Sequence, residues 1–138
     1  MIKTPHIATD GIIKLYNKQN IFQGIIFIER LNPPFGIALP GGFVDIGEKV
    51  EDALVREMKE EVSLDVTIEK LLGIYSDPKR DSRFHTVSAV YICNAIGEPK
   101  AADDAKEVFI YHPKEIPLDK LVFDHKEIIQ NYLQEENL

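Results

Sequence analysis

The stretch LPGGFVDIGEKVEDALVREMKEEVSL, residues 39–64, contains the pattern that decides the fold. A short apolar segment, Ile37 to Leu39, leads into Pro40-Gly41-Gly42, and a helical pattern then runs from Glu48 to about Val62. Paired glycines allow the backbone of a loop to approach an ion or a ligand closely. We therefore expect a short strand, a glycine loop and a helix in direct succession.

Three glutamates, Glu57, Glu60 and Glu61, share one side of this predicted helix. At about 100° per residue they fall within an arc of roughly 100°, separate from the apolar side. Like charges one turn apart cost a few tenths of a kcal/mol each, which any solvated surface tolerates. The acidic side is therefore either plain surface or a site for a divalent cation. Oxygen ligands of this kind suit Mg²⁺ or Mn²⁺ rather than zinc.

The spacing of the polar residues in this stretch follows a known motif. The matching positions are Gly42-x5-Glu48-x7-Arg56-Glu57-Met58-x-Glu60-Glu61-x-Ser63-Leu64. This pattern resembles the Nudix box, G-x5-E-x7-R-E-U-x-E-E-x-G-U with U aliphatic, at every position except one. Ser63 stands where the family has glycine, at the helix end where glycine relieves left-handed backbone strain.

Weaker similarities outside the box point to the members grouped with ADP-ribose pyrophosphatases. They lie in residues 32–45, 76–81, 85–88 and 103–107. The resemblance implies an α+β fold, the Nudix α/β/α sandwich with a mixed β-sheet between helices. It also implies a single domain over residues 1–138.

The element pattern of the chain agrees with that fold. We predict strands at Ile7–Tyr16, Gln23–Arg30, Ile37–Leu39, Val66–Tyr75, Thr86–Ala95 and Glu107–Tyr111, and a closing helix from about Asp124. The turn Asn17–Asn20 makes the first two strands an antiparallel hairpin. Asp124 is a predicted N-cap of the closing helix.

The resemblance also implies the catalytic machinery. It makes Glu57 and Glu61 the expected metal ligands, followed by Glu60 and the carbonyl oxygen of Gly41. The ions would be Mg²⁺ or Mn²⁺, and they would lower the pKa of a bound water.

Two further roles follow from the resemblance. Arg56 stays protonated and cannot act as a base, so we expect it to hold a catalytic glutamate or the loop of Glu48 by a bidentate contact. The family often takes another acid from a later loop, for which Glu107 is the candidate and Asp103 and Asp104 are rivals. A solvated acidic turn is an equally good interpretation of that loop.

Three arginines and one aromatic residue are candidates for substrate contacts. Arg30 matches a position where relatives place a basic residue near the phosphates, Arg80 and Arg83 lie in a turn-rich loop that could fold over a diphosphate, and Phe35 could stack on a base. The arginines could equally be solvated surface, and Phe35 could belong to the core. Phe123-Asp124-His125 is interpreted as the start of the closing helix.

Composition excludes several functional classes. The chain has 138 residues with 23 acidic and 16 basic side chains, a formal net charge of −7, which disfavours binding to a nucleic acid polymer. Its single cysteine, Cys93, allows neither an internal disulfide nor a thiolate metal cluster. No apolar run approaches the length of a membrane span and no targeting segment is visible, so we expect a cytoplasmic protein without membrane contact.

The predicted function is metal-dependent hydrolysis of a nucleoside diphosphate linked to another moiety. ADP-ribose, giving AMP and ribose 5-phosphate, is the first expected substrate. The alternatives are hydrolysis of oxidised nucleoside triphosphates or dinucleoside polyphosphates, a non-catalytic sensor of an ADP-ribose-type ligand, and an interaction protein with an acidic surface. A homodimer is expected from the resemblance.

Overall fold

The computed structural model describes residues 1–102 and 105–138. Its strands are β1 (His6–Tyr16), β2 (Phe22–Arg30), β3 (Ile37–Ala38), β4 (Gly41–Phe43), β5 (Thr67–Tyr75), β6 (Thr86–Ile96) and β7 (Ala105–Tyr111). Its helices are α1 (Val50–Val62) and α2 (His125–Glu135), and two short 3₁₀ turns, Pro113–Glu115 and Leu118–Lys120, precede α2. Neither described helix is long and apolar enough to cross a membrane.

The seven strands form one mixed sheet. β1 pairs in parallel with β6 along its whole length and antiparallel with β2 near its end, which confirms the predicted hairpin. β2 also pairs antiparallel with β7 and with β3, and β5 pairs antiparallel with β6.

Both faces of the sheet are buried, which explains the continuous apolar run in β2. Successive side chains of a strand point to opposite faces. Ile26 and Ile28 accordingly pack with Leu54 and Met58 of α1, whereas Ile25 and Phe27 pack on the other face with a second cluster. That second cluster includes Ile128, Ile129 and Tyr132 of α2. The helices therefore lie on opposite faces of the sheet.

The glycine loop is more regular than its sequence predicts. Residues Gly41–Phe43 form β4, which pairs antiparallel with Ala8–Asp10 of β1. Glycine has little strand preference, but here a side chain on Gly41 would meet the backbone of the neighbouring strand. Close pairing of the two backbones thus requires glycine and aligns β4 beside Asp10.

The end of α1 has the backbone conformation that its motif position predicts. Ser63 is the C-cap, with φ 61° and ψ 33°, and its N–H donates to the carbonyl of Lys59. A serine therefore occupies a left-handed conformation that favours glycine. The substitution leaves the course of the helix unchanged.

Candidate functional site

A cavity of about 360 Å³ opens between the glycine strand and the start of α2. One part of its lining, the acidic wall, consists of β4, Glu57 and Glu61 of α1 and Asp10 of β1. The other part, the cationic wall, contains Arg30 at the end of β2, Arg80, Asp81 and Arg83 of one loop, and the pair Phe123 and His125. The volume is within the usual range for small-molecule sites.

Two carboxylates rest directly on the glycine pair. A Cβ on Gly41 would lie 2.0 Å from Oδ1 of Asp10, and one on Gly42 would lie 2.2 Å from Cδ of Glu57. Any residue other than glycine would therefore occupy the space of a carboxylate. The glycines make room for two anionic groups on the same wall of the cavity.

The three predicted glutamates of α1 have different positions relative to the cavity. Glu57 and Glu61 line it, and the side chain of Glu57 is 14% exposed. Glu60 is 59% exposed and is absent from the lining, although Arg56 links it to Glu57. Within the described residues, no three carboxylate, imidazole or thiolate groups are gathered around one point. Glu57, Glu61, Gly41 and Asp10 line the same cavity, whereas Glu60 does not.

Arg56 organises the entry into α1. Its Nε and Nη2 donate to the two carboxylate oxygens of Glu48 at 2.8 and 2.9 Å. Its Nη1 donates to Glu57 at 2.9 Å and to Glu60 at 3.2 Å. The hydrogen bonds from Arg56 lower the pKa of Glu48 to about 2, and those to Glu48 and Glu57 raise the pKa of Arg56. Arg56 therefore carries its charge permanently and fixes one oxygen of Glu57.

The cationic wall of the cavity contains the arginines Arg30, Arg80 and Arg83. Arg30 donates from Nε to the carbonyl of Pro34 at 2.9 Å and from Nη2 to that of Pro33 at 3.4 Å. Burial, followed by repulsion from Arg83, lowers the pKa of Arg30. The described residues supply Arg30 with carbonyl partners but with no carboxylate within ion-pair distance.

Arg80 is committed to a structural contact. Its side chain is 4% exposed, and it donates from Nε and Nη2 to both oxygens of Asp124 at 2.9 and 2.7 Å. Asp124 is at the N-cap position, as predicted, but its side chain makes no capping hydrogen bond. The carboxylate binds Arg80 instead, so the loop of Arg80 is tied to the start of α2.

Other predicted site residues lie away from the cavity lining. Phe35 is 67% exposed and lines a separate shallow groove beside β7, to which Arg30 also contributes. Glu107 is exposed on β7 opposite Glu29. Asp103 and Asp104 lie outside the described residues.

Three residues of the cavity were not assigned to it from the sequence: Asp10, Asp81 and His125. Arg83, a candidate together with Arg80, lines the cavity. Asp10 accepts a hydrogen bond from Ser88 Oγ. Asp81 accepts from Arg83, and although burial raises the pKa of Asp81, the hydrogen bonds from Arg83 hold it below its usual value. The signal for Asp10 was a carboxylate within a strongly apolar strand, but its role depends on the pairing of β1 with β4.

His125 is buried and holds a defined tautomer. Its Nδ1 accepts the backbone N–H of Leu39 at 2.9 Å, which leaves the ring proton on Nε2. Burial lowers the pKa of His125, so the ring is neutral at neutral pH. This hydrogen bond joins the start of α2 to the strand that leads into Gly41.

Comparison with known proteins identifies close relatives. A family model for the NUDIX domain matches residues 5–132. Over 136 residues the chain is 48% identical to a protein of Methanocaldococcus jannaschii named ADP-ribose pyrophosphatase, a match that covers 96% of this chain and 76% of that protein.

Solved structures confirm the predicted fold class. A MutT/nudix family protein from Enterococcus faecalis superposes with a TM-score of 0.81 at 29% identity, over 98% of this chain and 63% of that one. A bifunctional NMN adenylyltransferase/ADP ribose pyrophosphatase from Francisella tularensis, complexed with AMP and a manganese ion, gives 0.77 at 25% identity. That match covers 98% of this chain and 42% of that chain. The chain therefore spans less than two thirds of either solved protein.

Proposed function

Since the chain belongs to the Nudix family and is a pyrophosphohydrolase of that family, we propose that it converts ADP-ribose to AMP and ribose 5-phosphate. The observation that carries this proposal is that acidic and basic side chains line the same cavity. Asp10, Glu57 and Glu61 line it together with Arg30, Arg80 and Arg83. A diphosphate in this cavity could be bound both by a divalent cation held by the carboxylates and by a guanidinium group.

The acidic wall fits a divalent cation. Its donors are all oxygens, as Mg²⁺ and Mn²⁺ prefer, and the glycine pair leaves the carboxylates of Asp10 and Glu57 accessible at the cavity wall. We propose Glu57, Glu61 and the carbonyl of Gly41 as ligands, with Asp10 as a further carboxylate on the same wall. Nudix hydrolases generally need a divalent cation, and Mg²⁺ or Mn²⁺ is the proposed choice here.

In this proposal the protein groups hold the reactants in place. A bound cation supplies Lewis acidity at the phosphoryl oxygens and a more acidic water. The hydrogen bond from Arg56 restrains the carboxylate of Glu57, which lines the cavity. Arg30, in the same lining, would bind the diphosphate and neutralise its charge.

The remaining predicted catalytic residues have supporting positions. Glu60 shares Arg56 with Glu57 and would enter the metal site only by a change of rotamer. Glu107 is paired with Glu29 in the sheet, so it would act only if the bound substrate extended to it. We therefore rank Glu57 and Glu61 above Glu60 and Glu107 as groups that contact the metal-bound substrate.

The relative from Methanocaldococcus jannaschii, named ADP-ribose pyrophosphatase, supports ADP-ribose as the substrate. The test is turnover on a panel of ADP-ribose, NADH, diadenosine polyphosphates, dGTP and oxidised dGTP, first with Mg²⁺ or Mn²⁺ and then with EDTA. A preference for ADP-ribose that EDTA abolishes is the expected result. Preferential hydrolysis of the triphosphates would reassign the protein to removal of damaged nucleotides, and binding without turnover would make it a sensor.

We further propose that the protein acts in the cytoplasm as a homodimer. Sedimentation at micromolar concentration tests the dimer directly, because a single species at the mass of one chain would contradict it.

A further inference from the structure

Phe123 has a backbone conformation that bulky residues rarely adopt. Its φ is 57°, in the left-handed region, although it has a large side chain and is not glycine. Strain of this kind persists where the surrounding structure holds it in place, and it is common at binding sites. The side chain of Phe123 therefore merits a specific explanation.

The ring of Phe123 contacts two arginines of the cavity wall. Cζ of Arg30 lies 5.0 Å and Cζ of Arg83 lies 5.4 Å from the ring centroid. Both distances are within the range of cation–π attraction, which is stronger where water is excluded. The ring thus attracts two like charges to one place.

The two guanidinium groups repel each other and are partly desolvated. Burial is the main cause of the lowered pKa of Arg30, and the charge of Arg83 is the next. Asp81 accepts hydrogen bonds from Nε and Nη2 of Arg83, whereas Arg30 donates to the carbonyl oxygens of Pro33 and Pro34. In the described part of the chain, neither Nη1 atom has a protein acceptor. Two donors of a cationic pair are therefore available at the cavity.

We propose that Phe123 is a positioning residue for substrate binding, whose ring holds Arg30 and Arg83 together as a paired clamp for the phosphate oxygens of the substrate. This proposal rests on the proposed function, since the same cavity binds the diphosphate. Of the two loop arginines that the sequence suggested for phosphate binding, it assigns the role to Arg83, because Arg80 is bound by Asp124. Planar guanidinium groups bind phosphate oxygens with defined geometry, so their orientation determines affinity.

Phe123→Leu is the main test because leucine keeps an apolar side chain and a comparable backbone strain but has no aromatic face. The expected result is a rise of about 10-fold in KM for ADP-ribose with kcat changed by less than about 2-fold, from the loss of two cation–π contacts. The Mg²⁺ concentration for half-maximal activity should not change. Phe123→Tyr, which keeps the ring, should restore KM to within about 2-fold of wild type.

A double substitution separates positioning from general structural damage. If Phe123 acts through Arg83, the fold increase in KM of the double variant Phe123→Leu/Arg83→Gln should be well below the product of the fold increases of the two single variants. Effects that multiply fully would show that Phe123 does not act through Arg83 and would overturn the clamp. An unchanged KM in a folded Phe123→Leu protein would also overturn it.

Pyrophosphate binding in EDTA distinguishes the failure of this proposal from the failure of the proposed function. Calorimetry with pyrophosphate needs neither turnover nor the correct substrate. Weaker binding by Phe123→Leu than by wild type, by about 10-fold, supports the clamp even if ADP-ribose is not hydrolysed. Equal binding by both proteins overturns the clamp even if ADP-ribose is the substrate.

Discussion

Gly42→Ala tests whether the observed position of Glu57 is the one that the reaction uses. The new Cβ would lie 2.2 Å from Cδ of Glu57 and 2.3 and 2.4 Å from its two oxygens. Ordinary contact requires about 3.4 Å or more, so the carboxylate has to move by about 1 Å. Glu57 is a long side chain with rotatable bonds, so the movement does not require a shift of the backbone.

The expected cost to stability is small. Alanine lowers the conformational entropy of the unfolded chain, which contributes about 0.4–1 kcal/mol to stability where the backbone is compatible. The hydrogen bond between Arg56 and Glu57 at 2.9 Å would be weakened, which costs a similar amount for a partly exposed pair. The free energy of unfolding should therefore change by less than about 1 kcal/mol.

Activity should fall far more than stability. A displacement of about 1 Å in a catalytic or metal-binding group can lower the rate by about 100-fold. We expect kcat/KM for ADP-ribose to fall by about that factor, with a higher Mg²⁺ requirement, while the urea midpoint stays near that of wild type. Wild-type kcat/KM in Gly42→Ala would refute the argument, because the position of Glu57 would then be irrelevant to turnover.

Two other glycines provide matched controls for this substitution. Gly73→Ala should change neither the stability nor kcat/KM, since the nearest atom to its Cβ belongs to Tyr75 at 3.5 Å. Gly41→Ala should lower both the stability and kcat/KM, because its Cβ would lie 2.5 Å from the backbone oxygen of Thr9, which cannot rotate away. Overpacking of this kind typically costs about 1–3 kcal/mol.

Three further predictions concern α1 and the segments at its two ends. Ser63→Gly should raise the free energy of unfolding by about 0.5–1 kcal/mol and the melting temperature by about 2–5 °C without a change in activity, because φ at Ser63 is 61° and glycine adopts this conformation without strain. Calorimetry measures both quantities, and an unchanged melting temperature would mean that serine is unstrained there. Glu61→Gln should abolish Mg²⁺-dependent turnover because it removes a proposed metal ligand. Stability should not fall, because the substitution also removes like-charge repulsion with Glu57. Substantial residual turnover would exclude Glu61 from the metal site. Glu48→Gln should destabilise the protein at neutral pH, where wild-type Glu48 is ionised. The difference in urea midpoint between variant and wild type should shrink as the pH falls from about 4.5 to about 2, because wild-type Glu48 then becomes protonated. A difference that does not depend on pH would mean that the ion pair with Arg56 contributes nothing to stability.

The sequence predicts much of the fold because its apolar patterns are local. The run from Gly24 to Ile28 indicates a strand buried on both faces, and the spacing of the motif fixes α1. The parallel pairing of β1 with β6 could not be predicted, since it joins His6 to Thr86 across the chain and no local pattern specifies the partner.

The acidic wall was only partly predictable for the same reason. The motif supplies Glu57 and Glu61, which share one helix face by periodicity. Asp10 joins them because the antiparallel pairing of β1 with β4 aligns Asp10 with Gly41. Strand register of that kind depends on tertiary packing, so the carboxylate in the apolar strand β1 does not by itself indicate which residues it joins.

The cationic wall was predicted less well because its residues act through one another. Arg80 and Arg83 are three positions apart in one loop, and only contacts show that Asp124 binds the first and Asp81 the second. The left-handed conformation of Phe123 has no signature in its residue type, since phenylalanine rarely adopts it.

The start of α2 connects the two walls of the cavity. His125 accepts a hydrogen bond from Leu39, two residues before Gly41, and Asp124 binds Arg80. Phe123 in turn contacts Arg30. Phe123 and Asp124 contact arginines of the cavity, whereas His125 contacts the segment before the glycine strand, so substitutions at the two places should affect different properties. Loss of the His125 contact should alter the metal requirement through the glycine strand, whereas loss of the Phe123 ring should alter KM through the arginines.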